Sequence, residues 1–215
     1  MSNFDLKTYT HGPISRGEPQ QLVILLHGLG SDGRDLIGLA PLYAQSLPDA
    51  VFVSPDAPFP CDMAPMGYQW FSLQDRAPEA MLGGVERVAP VVDNFIAAQM
   101  DKYNVAAEKT ALVGFSQGSM MSLYVGPRFP QKLAGVLAYS GALIAPPAPE
   151  NFKIPIHLVH GDYDEIVPVE ACHHAQSVLS KAGYEVSGGI VPGLGHSIDE
   201  NGLTSGRDFL QRILI

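Results

Sequence analysis

The stretch TALVGFSQGSMMSLYVGPR, residues 110–128, decides the fold of this chain. It starts with an apolar run, residues 110–114, and such a run is typical of a strand covered on both faces of a parallel sheet. It ends with residues 117–128, which have the character of a helix. Between the two lies GFSQG, with Ser116 at its centre. A strand, a tight turn with a serine and a helix form a nucleophile elbow, so the sequence predicts Ser116 as a nucleophile.

The same alternation of strand and helix continues on both sides of this stretch. Further apolar runs predict strands at residues 22–26, 51–54, 134–140, 156–160 and 186–191. Further helices are predicted near residues 169–182 and 200–214, and apolar positions three and four residues apart mark another from Met81 to Phe95. Pro90 should kink that helix or split it in two, and Pro41 makes residues 34–47 less regular. This alternation implies right-handed crossovers and a mostly parallel sheet with helices on both faces.

Composition and charge limit the classes of protein that the chain can represent. The 215 residues are 46% hydrophobic and 16% charged, with a net charge of −9, which predicts a single α/β domain over residues 1–215. The negative charge argues against nucleic acid or an anionic membrane surface as a partner, because both would repel it. Residues 57–75 and 142–151 lack a clean period and are predicted to be surface loops.

Neither a membrane span nor a disulfide framework is expected. The longest apolar-rich stretch, LAGVLAYSGALIAPPAP, is broken by Ser140, Gly141 and several prolines, so it is predicted to be a buried strand and a loop. The only two cysteines, Cys61 and Cys172, are predicted to be separate reduced thiols. The N-terminus, MSNFDLKTYTHG, has neither a basic start nor an apolar segment, so no signal peptide and a cytoplasmic location are expected.

A serine nucleophile needs a base, and His196 is the best candidate among seven histidines. His196 lies in VPGLGHSID, a glycine-rich loop between the last strand and the last helix. His160 is predicted to form local hydrogen bonds, because it precedes a tight turn at Gly161. Four others lie in a polar terminal stretch, within a strand or on a helix surface: His11, His157, His173 and His174.

The acid that orients the base is predicted in HGDYDEIVP, which follows the strand at residues 156–160. Asp162 and Asp164 are both candidates, and spacing alone does not separate them. In either case the order along the chain is Ser, Asp, His, each just beyond a strand, as in α/β-hydrolases. Parallel strands would bring all three loops to the same edge of the sheet.

The loop HGLGSDG, residues 27–33, directly follows the first predicted core strand. Its glycines at positions 28 and 30 allow the backbone to approach a reacting group closely. We therefore expect an N–H of this loop and the Gln117 N–H to form an oxyanion hole. The alternative, a phosphate-binding loop, is disfavoured because neither G-x-G-x-x-G nor a GK[ST] ending is present.

With these residues together, the chain resembles the phospholipase/carboxylesterase family of α/β-hydrolases, which includes the acyl-protein thioesterases. The resemblance runs from about residue 22 to residue 214 and rests on LLHGLGSDG, GYQWFSL, GFSQGSMMSLYVGPRFP, AYSGAL, HGDYDEIVPVE and GLGHSI in family order. It implies an α/β-hydrolase fold without a large cap domain. It also implies Asp164 as the catalytic acid, with Ser116 and His196, and Leu29 and Gln117 as the oxyanion donors.

The resemblance further implies an acyl groove formed by the loop of the Trp motif and the residue before VP. The residues at these positions are Leu73 and Ile166, with Met66 and Trp70 as weaker candidates. The alternative is that Trp70 and its neighbours only pack the loop down.

Two residues depart from the family pattern and leave substrate preference and loop packing open. Ser119 stands where members often have glycine, and Ser72 stands where many have aspartate.

The implied activity is that of a serine carboxylesterase, with no metal and no organic cofactor. Its substrate would be a small-molecule or lipid-like ester or an acyl thioester, and relatives suggest a homodimer. The alternatives are a lysophospholipase, an acyl-protein thioesterase, acyl transfer or perhydrolysis on the same acyl-enzyme, and a non-catalytic binding protein with this fold.

Overall fold

A seven-stranded sheet forms the centre of the protein. The computed structural model describes residues 6–215, so the first five residues of the N-terminal stretch discussed above lie outside it. The strands of the sheet are β1 (Thr8–His11), β2 (Gln21–Leu26), β3 (Ala50–Pro55), β6 (Thr110–Phe115), β7 (Gly135–Tyr139), β8 (Ile156–Gly161) and β9 (Val186–Val191), while β4 (Phe59–Pro60) and β5 (Tyr68–Gln69) form a separate hairpin. The spatial order is β1-β3-β2-β6-β7-β8-β9, and every neighbouring pair is parallel except β1 and β3.

Helices cover both faces of this sheet. They are α1 (Gly33–Leu36), α2 (Ala40–Ala44), α3 (Pro78–Tyr103), α4 (Gln117–Arg128), α5 (Glu170–Lys181) and α6 (Glu200–Leu214), with short 3₁₀ turns at Ile37–Leu39 and Ala107–Lys109. Successive side chains of β2 alternate between two buried clusters: Leu22 and Ile24 join the cluster with α3, α4 and α5, whereas Val23 and Leu25 join the cluster with α1, α2 and α6. The predicted α/β-hydrolase architecture is confirmed.

Proline positions explain where the helices differ from the sequence expectation. Pro90 does not split its helix, because α3 is continuous over 26 residues. The proline ring is exposed at one side, while Val85, Val88, Val92 and Ile96 bury the opposite face in the core. That burial stabilises the helix enough to offset the one backbone hydrogen bond that Pro90 removes. Pro41 instead is the second residue of α2, in the first turn, where no intrahelical N–H is needed.

Two pieces of β structure do not follow from the apolar pattern. Strand β1 has a mixed sequence, TYTH, because it lies at the sheet edge and pairs only with β3. Residues 57–75 contain the β4–β5 hairpin, and within this segment Trp70 and Phe71 are buried. The segment is therefore anchored to the core and is not only a surface loop.

Cys61 and Cys172 are both free, as predicted. Among the helices within residues 6–215, none is long and apolar enough to cross a lipid bilayer.

Candidate active site

Ser116 lies at the turn between β6 and α4, as the GFSQG pattern predicts. Its φ of 53° and ψ of −115° are unusual for a residue with a side chain, and such backbone strain is common at functional sites. The turn is held from both sides: the Ser116 N–H donates to the Tyr139 carbonyl at 2.9 Å, and the Ser116 carbonyl accepts from the Met120 N–H at 3.1 Å. The side chain is buried except for a small exposed fraction.

The two glycines of the motif are required by close packing around this turn. A Cβ atom at Gly118 would overlap the carbonyl oxygen of Leu26 at the end of β2, and one at Gly114 would lie 2.5 Å from the carbonyl carbon of Gly118. A Cβ at Gly28 would lie 3.3 Å from the Cβ of Ser116, so the loop after β2 lies directly against the serine.

A continuous chain of hydrogen bonds joins Ser116, His196 and Asp164. The Ser116 Oγ lies 2.9 Å from His196 Nε2, and His196 Nδ1 lies 2.7 Å from Asp164 Oδ2. Because a carboxylate only accepts, Nδ1 carries the proton and Nε2 is free to accept the serine hydroxyl proton. The Phe115 ring packs against the imidazole with the ring centroids 5.0 Å apart.

The three side chains come from loops that follow β6, β8 and β9, at one edge of the sheet. The geometry also separates the two aspartates that spacing leaves open. Asp162 Oδ1 accepts from the Gly193 N–H at 2.6 Å, which ties the loop after β8 to the loop that carries His196. Only Asp164 contacts the imidazole.

Asp164 lies in an environment that keeps its carboxylate charged. Its Oδ1 accepts from the backbone N–H groups of Ile166 at 2.9 Å and Val167 at 2.8 Å, while Oδ2 faces His196. Burial raises the pKa of Asp164, but hydrogen bonds from His196, Val167 and Ile166 outweigh it, so the net pKa lies below the ordinary value. The carboxylate is therefore ionised at neutral pH and can stabilise an imidazolium.

Two backbone N–H groups are free to bind a developing oxyanion. The Leu29 and Gln117 N–H groups have no hydrogen-bond partner within residues 6–215. Gly30 and Ser31, in contrast, donate their N–H groups to the Tyr68 and Gly28 carbonyls. Gln117 is the first residue of α4, where an N–H has no acceptor inside the helix and the helix dipole favours negative charge.

The side chain of Gln117 has a role that sequence reasoning missed. Its Oε1 accepts from the Trp70 N–H at 2.9 Å, and its Nε2 donates to the Phe71 carbonyl at 2.7 Å. The Gln117 side chain therefore clamps the segment of residues 57–75 to the elbow at Ser116. A signal exists in the sequence, since an amide side chain at the start of a buried helix must find polar partners.

His27 is a second residue that holds this region together. Its Nε2 accepts from the Ala57 N–H at 2.9 Å, so Nδ1 carries the proton and donates to the Gly28 carbonyl at 2.7 Å. Burial lowers the pKa of His27, which keeps the ring neutral. The His27 carbonyl in turn accepts from the Trp70 indole N–H at 2.9 Å.

The four residues expected in the acyl groove lie in different environments. Trp70 is completely buried and bonded through its indole N–H, so its ring packs the loop against the core and has no surface open to a substrate. This corrects its assignment as a groove residue. Met66 is 79% exposed and Ile166 is 58% exposed. Leu73 is partly buried and packs on the edge of the core.

The two residues that depart from the family pattern do not touch the triad. The Ser119 hydroxyl lies beneath the elbow, 2.7 Å from the Gly114 carbonyl and 2.6 Å from the Tyr139 carbonyl, so it supports the strand ends. Ser72 is exposed, and its Oγ accepts from the Gln74 N–H at 3.3 Å. Within the described residues, no group of three or more His, Cys, Asp or Glu side chains is placed to hold a metal ion.

A mostly parallel sheet with a Ser–His–Asp hydrogen-bond chain at the carboxyl ends of its strands defines an α/β-hydrolase. A sequence model of the phospholipase/carboxylesterase family matches residues 14–214, so the chain belongs to this family. It is a carboxylic ester hydrolase, in agreement with the names of its relatives.

Relatives and solved structures agree with this membership. The chain is 32% identical to esterase YpfH of Escherichia coli over 192 residues, which cover 89% of this chain and 82% of that protein. It is 30% identical to acyl-protein thioesterase 1 of Neurospora crassa, with 87% and 84% covered. The crystal structure of esterase PE8 superposes with a TM-score of 0.90 at 40% identity, covering 97% of this chain and 99% of that one. Arabidopsis thaliana SOBER1 has a TM-score of 0.75 at 26% identity, with 91% and 100% covered.

Proposed function

We propose that this protein hydrolyses carboxylic esters through an acyl-enzyme formed on Ser116. The observation that carries the proposal is the hydrogen-bond chain from Ser116 Oγ through His196 to Asp164, at 2.9 Å and 2.7 Å. A serine hydroxyl is a weak nucleophile by itself, and an adjacent base held by a carboxylate makes it an effective one.

In the acylation step, His196 Nε2 takes the hydroxyl proton as Ser116 Oγ attacks the acyl carbon. The tetrahedral oxyanion accepts hydrogen bonds from the Leu29 and Gln117 N–H groups. Each such donor typically lowers the barrier by about 3–4 kcal/mol. The bond to the leaving alcohol or thiol then breaks, and His196 gives its proton to the leaving group.

In the deacylation step, water takes the place of the alcohol. His196 removes one proton from water, the resulting hydroxide attacks the acyl carbon, and the carboxylic acid leaves as Ser116 recovers its proton from His196. The carboxylate of Asp164 stabilises the imidazolium in both steps and keeps the ring in the tautomer that the reaction requires.

The acyl chain of the substrate is proposed to lie along Leu73, Ile166 and Met66. Ile166 lies two residues after Asp164, and Met66 precedes Gly67, which packs against Gly30 of the loop after β2. Both are large apolar side chains left exposed, which favours an apolar acyl group. Relatives named esterase and acyl-protein thioesterase support esters and acyl thioesters as the two substrate classes. A lipid-like substrate, a homodimer and a cytoplasmic location stay predictions.

A substrate panel on the purified protein tests the proposal. Rates are measured on p-nitrophenyl esters of increasing acyl length, on an acyl thioester and on a lysophospholipid, with Ser116→Ala as the background. We expect turnover of at least one ester series by the wild type and a loss of about 10⁴-fold or more in the variant. Equal rates in the two proteins would refute Ser116 as nucleophile, and tight binding without turnover would support the non-catalytic alternative.

A further inference from the structure

His160 is a buried histidine that the proposed mechanism does not use. It is the second-last residue of β8, its side chain is 2% exposed, and it lies four residues before Asp164. The strand end that carries it also touches the loop of His196. A Cβ at Gly161 would overlap the Leu194 carbonyl, and the Tyr163 N–H donates to that same carbonyl at 3.0 Å. His160 therefore lies at the joint between the two loops that meet in the triad.

The His160 ring supports Asp164 through two contacts, one indirect and one direct. Its Nε2–H donates to the Val167 carbonyl at 2.7 Å, which fixes the peptide segment whose N–H groups hold Asp164 Oδ1. The same Nε2 lies 3.3 Å from Asp164 Oδ2, the oxygen that accepts from His196. One carboxylate oxygen is thus held by a turn that His160 braces, and the other lies directly against the His160 ring.

We propose that His160 is a positioning residue that fixes the rotation of the Asp164 carboxylate toward His196. This inference rests on the proposed function, in which Asp164 holds the catalytic imidazole. Without the ring, the segment at Val167 loses its brace and Oδ2 loses a polar neighbour. The carboxylate then rotates, and its hydrogen bond to His196 Nδ1 lengthens. Misplacement of a catalytic group by about 1 Å can lower a rate by about 100-fold.

The electrostatic surroundings of the His160 ring contain few other groups. The titratable groups around it are Asp164, His196 on the far side of that carboxylate, and Cys172 of α5, which shares a small cavity of about 10 Å³ with the ring. Burial raises the pKa of the Cys172 thiol to about 11, so the thiol is neutral. Asp164 is therefore the charged group that the ring faces at neutral pH.

The same strand offers a matched control. His157 is three residues earlier in β8, is also buried, and hydrogen-bonds Ser187 and Ser205 away from the triad. The variants to compare are His160→Leu, which removes the donor, His160→Gln, whose side-chain N–H can reach the same acceptor, and His157→Gln.

Kinetics give the first test. For His160→Leu we expect kcat to fall about 10- to 100-fold with KM within about twofold, and the acid limb of the pH profile of kcat/KM to move to lower pH. A loss of folded protein alone would lower the amplitude of the profile without moving its limb. His160→Gln should keep kcat and the position of the acid limb close to those of the wild type, and His157→Gln should leave both unchanged.

A second test does not depend on turnover. The proton between His196 Nδ1 and Asp164 Oδ2 should give a far-downfield ¹H NMR signal in the wild type, in His160→Gln and in His157→Gln. In His160→Leu this signal should move upfield or broaden.

The proposal would be overturned if His160→Leu left both the NMR signal and the acid limb unchanged. It would also be overturned if His157→Gln moved the acid limb and lost the signal. If His160→Leu does not fold, a moved limb and a lost signal in His160→Gln would overturn it. A protein with the expected NMR pattern but no ester turnover would refute the proposed function and leave the role of His160 in place.

Discussion

Two histidines in this protein each contact a serine hydroxyl through Nε2. His196 Nε2 lies 2.9 Å from Ser116 Oγ, and His157 Nε2 lies 2.7 Å from Ser205 Oγ. The two Nε2–Oγ distances are almost the same, yet the groups around the two pairs differ. A short Ser–His distance is therefore not sufficient to identify a catalytic pair, and the difference between the two pairs shows what else is required.

The first difference is at the other ring nitrogen. His196 Nδ1 faces the carboxylate of Asp164 at 2.7 Å, whereas His157 Nδ1 faces the hydroxyl of Ser187 at 2.8 Å. A carboxylate stabilises an imidazolium, and a hydroxyl does so far less. Burial, followed by the charge of Arg212, lowers the pKa of His157 to about 4. The His157 ring therefore stays neutral.

The second difference is in the backbone around the serine. Ser116 lies at a strained turn beside two N–H groups that have no partner among the described residues. Ser205 lies in the middle of the regular helix α6, where backbone N–H groups bond within the helix. The His157 ring is also stacked on Phe209, with centroids 5.0 Å apart. Around His157 the polar groups satisfy one another, which is the pattern of a structural hydrogen-bond network.

The largest expected effect comes from removing the carboxylate at His196 Nδ1, since His157 has no carboxylate at that position. Asp164→Asn removes the carboxylate, and its amide nitrogen would favour the wrong imidazole tautomer, so we expect kcat to fall about 10⁴-fold. Steady-state hydrolysis of a p-nitrophenyl ester measures this change. The reciprocal variant, Ser187→Asp in the Ser116→Ala background, should stay inactive because Ser205 has no oxyanion donors. Activity in that background would show that a carboxylate alone separates the two pairs.

The next effect tests the loop that supports the elbow. Gln117→Ala keeps the backbone N–H but leaves the Trp70 N–H and the Phe71 carbonyl without partners. We expect kcat/KM to fall about 100-fold as the elbow and the loop separate, together with a loss of about 1–3 kcal/mol in the free energy of unfolding. Ser205→Ala is the matched control, and it should keep full activity. Unchanged kinetics in Gln117→Ala would mean that the clamp has no part in the site.

The neutral state of His157 predicts a pH-dependent stability. Its folded pKa of about 4 lies below the ordinary 6.5, so the unfolded chain binds a proton that the folded protein does not bind between these values. This stabilisation is complete above pH 6.5 and is lost as the pH falls through about 4. Urea unfolding of wild type and His157→Gln should show a stability difference that narrows by about 2 kcal/mol between pH 7 and pH 4.5. A constant difference would contradict the buried neutral ring.

The smallest expected effect concerns Trp70. Trp70→Phe keeps an aromatic ring in the core but leaves the buried His27 carbonyl without its donor. We expect a loss of about 1–2 kcal/mol in the free energy of unfolding and no change in acyl-chain preference. Thermal unfolding and the ester series measure the two quantities. A changed chain-length preference at unchanged stability would place the indole in the substrate groove.

The sequence predicts the features that depend on neighbouring residues or on the order of the strands. The apolar run, the GFSQG turn and the helix after it are adjacent along the chain, so the elbow at Ser116 is a local pattern. The parallel order of the strands predicts that the loops with Asp164 and His196 meet at one edge. The choice between Asp162 and Asp164 needed the family resemblance, because only the folded loop shows which carboxylate contacts the imidazole.

Distant contacts that the order of the parallel strands does not determine could not be predicted. The Gln117 clamp joins residues 46 and 47 positions apart, and the indole of Trp70 bonds a carbonyl 43 residues away. Strand β1 was missed because an edge strand does not need an apolar sequence. The continuous helix through Pro90 likewise depends on how much of the opposite face is buried in the core.

Covalent labelling with a fluorophosphonate probe, followed by intact-mass spectrometry, tests whether Ser116 is the activated serine of this protein. Such a probe reacts with an activated serine, so its adduct distinguishes the two Ser–His pairs without any assumption about the substrate. We expect one adduct on the wild type and on Ser205→Ala, and none on Ser116→Ala. An adduct that persists on Ser116→Ala, or that disappears in Ser205→Ala, would contradict this expectation.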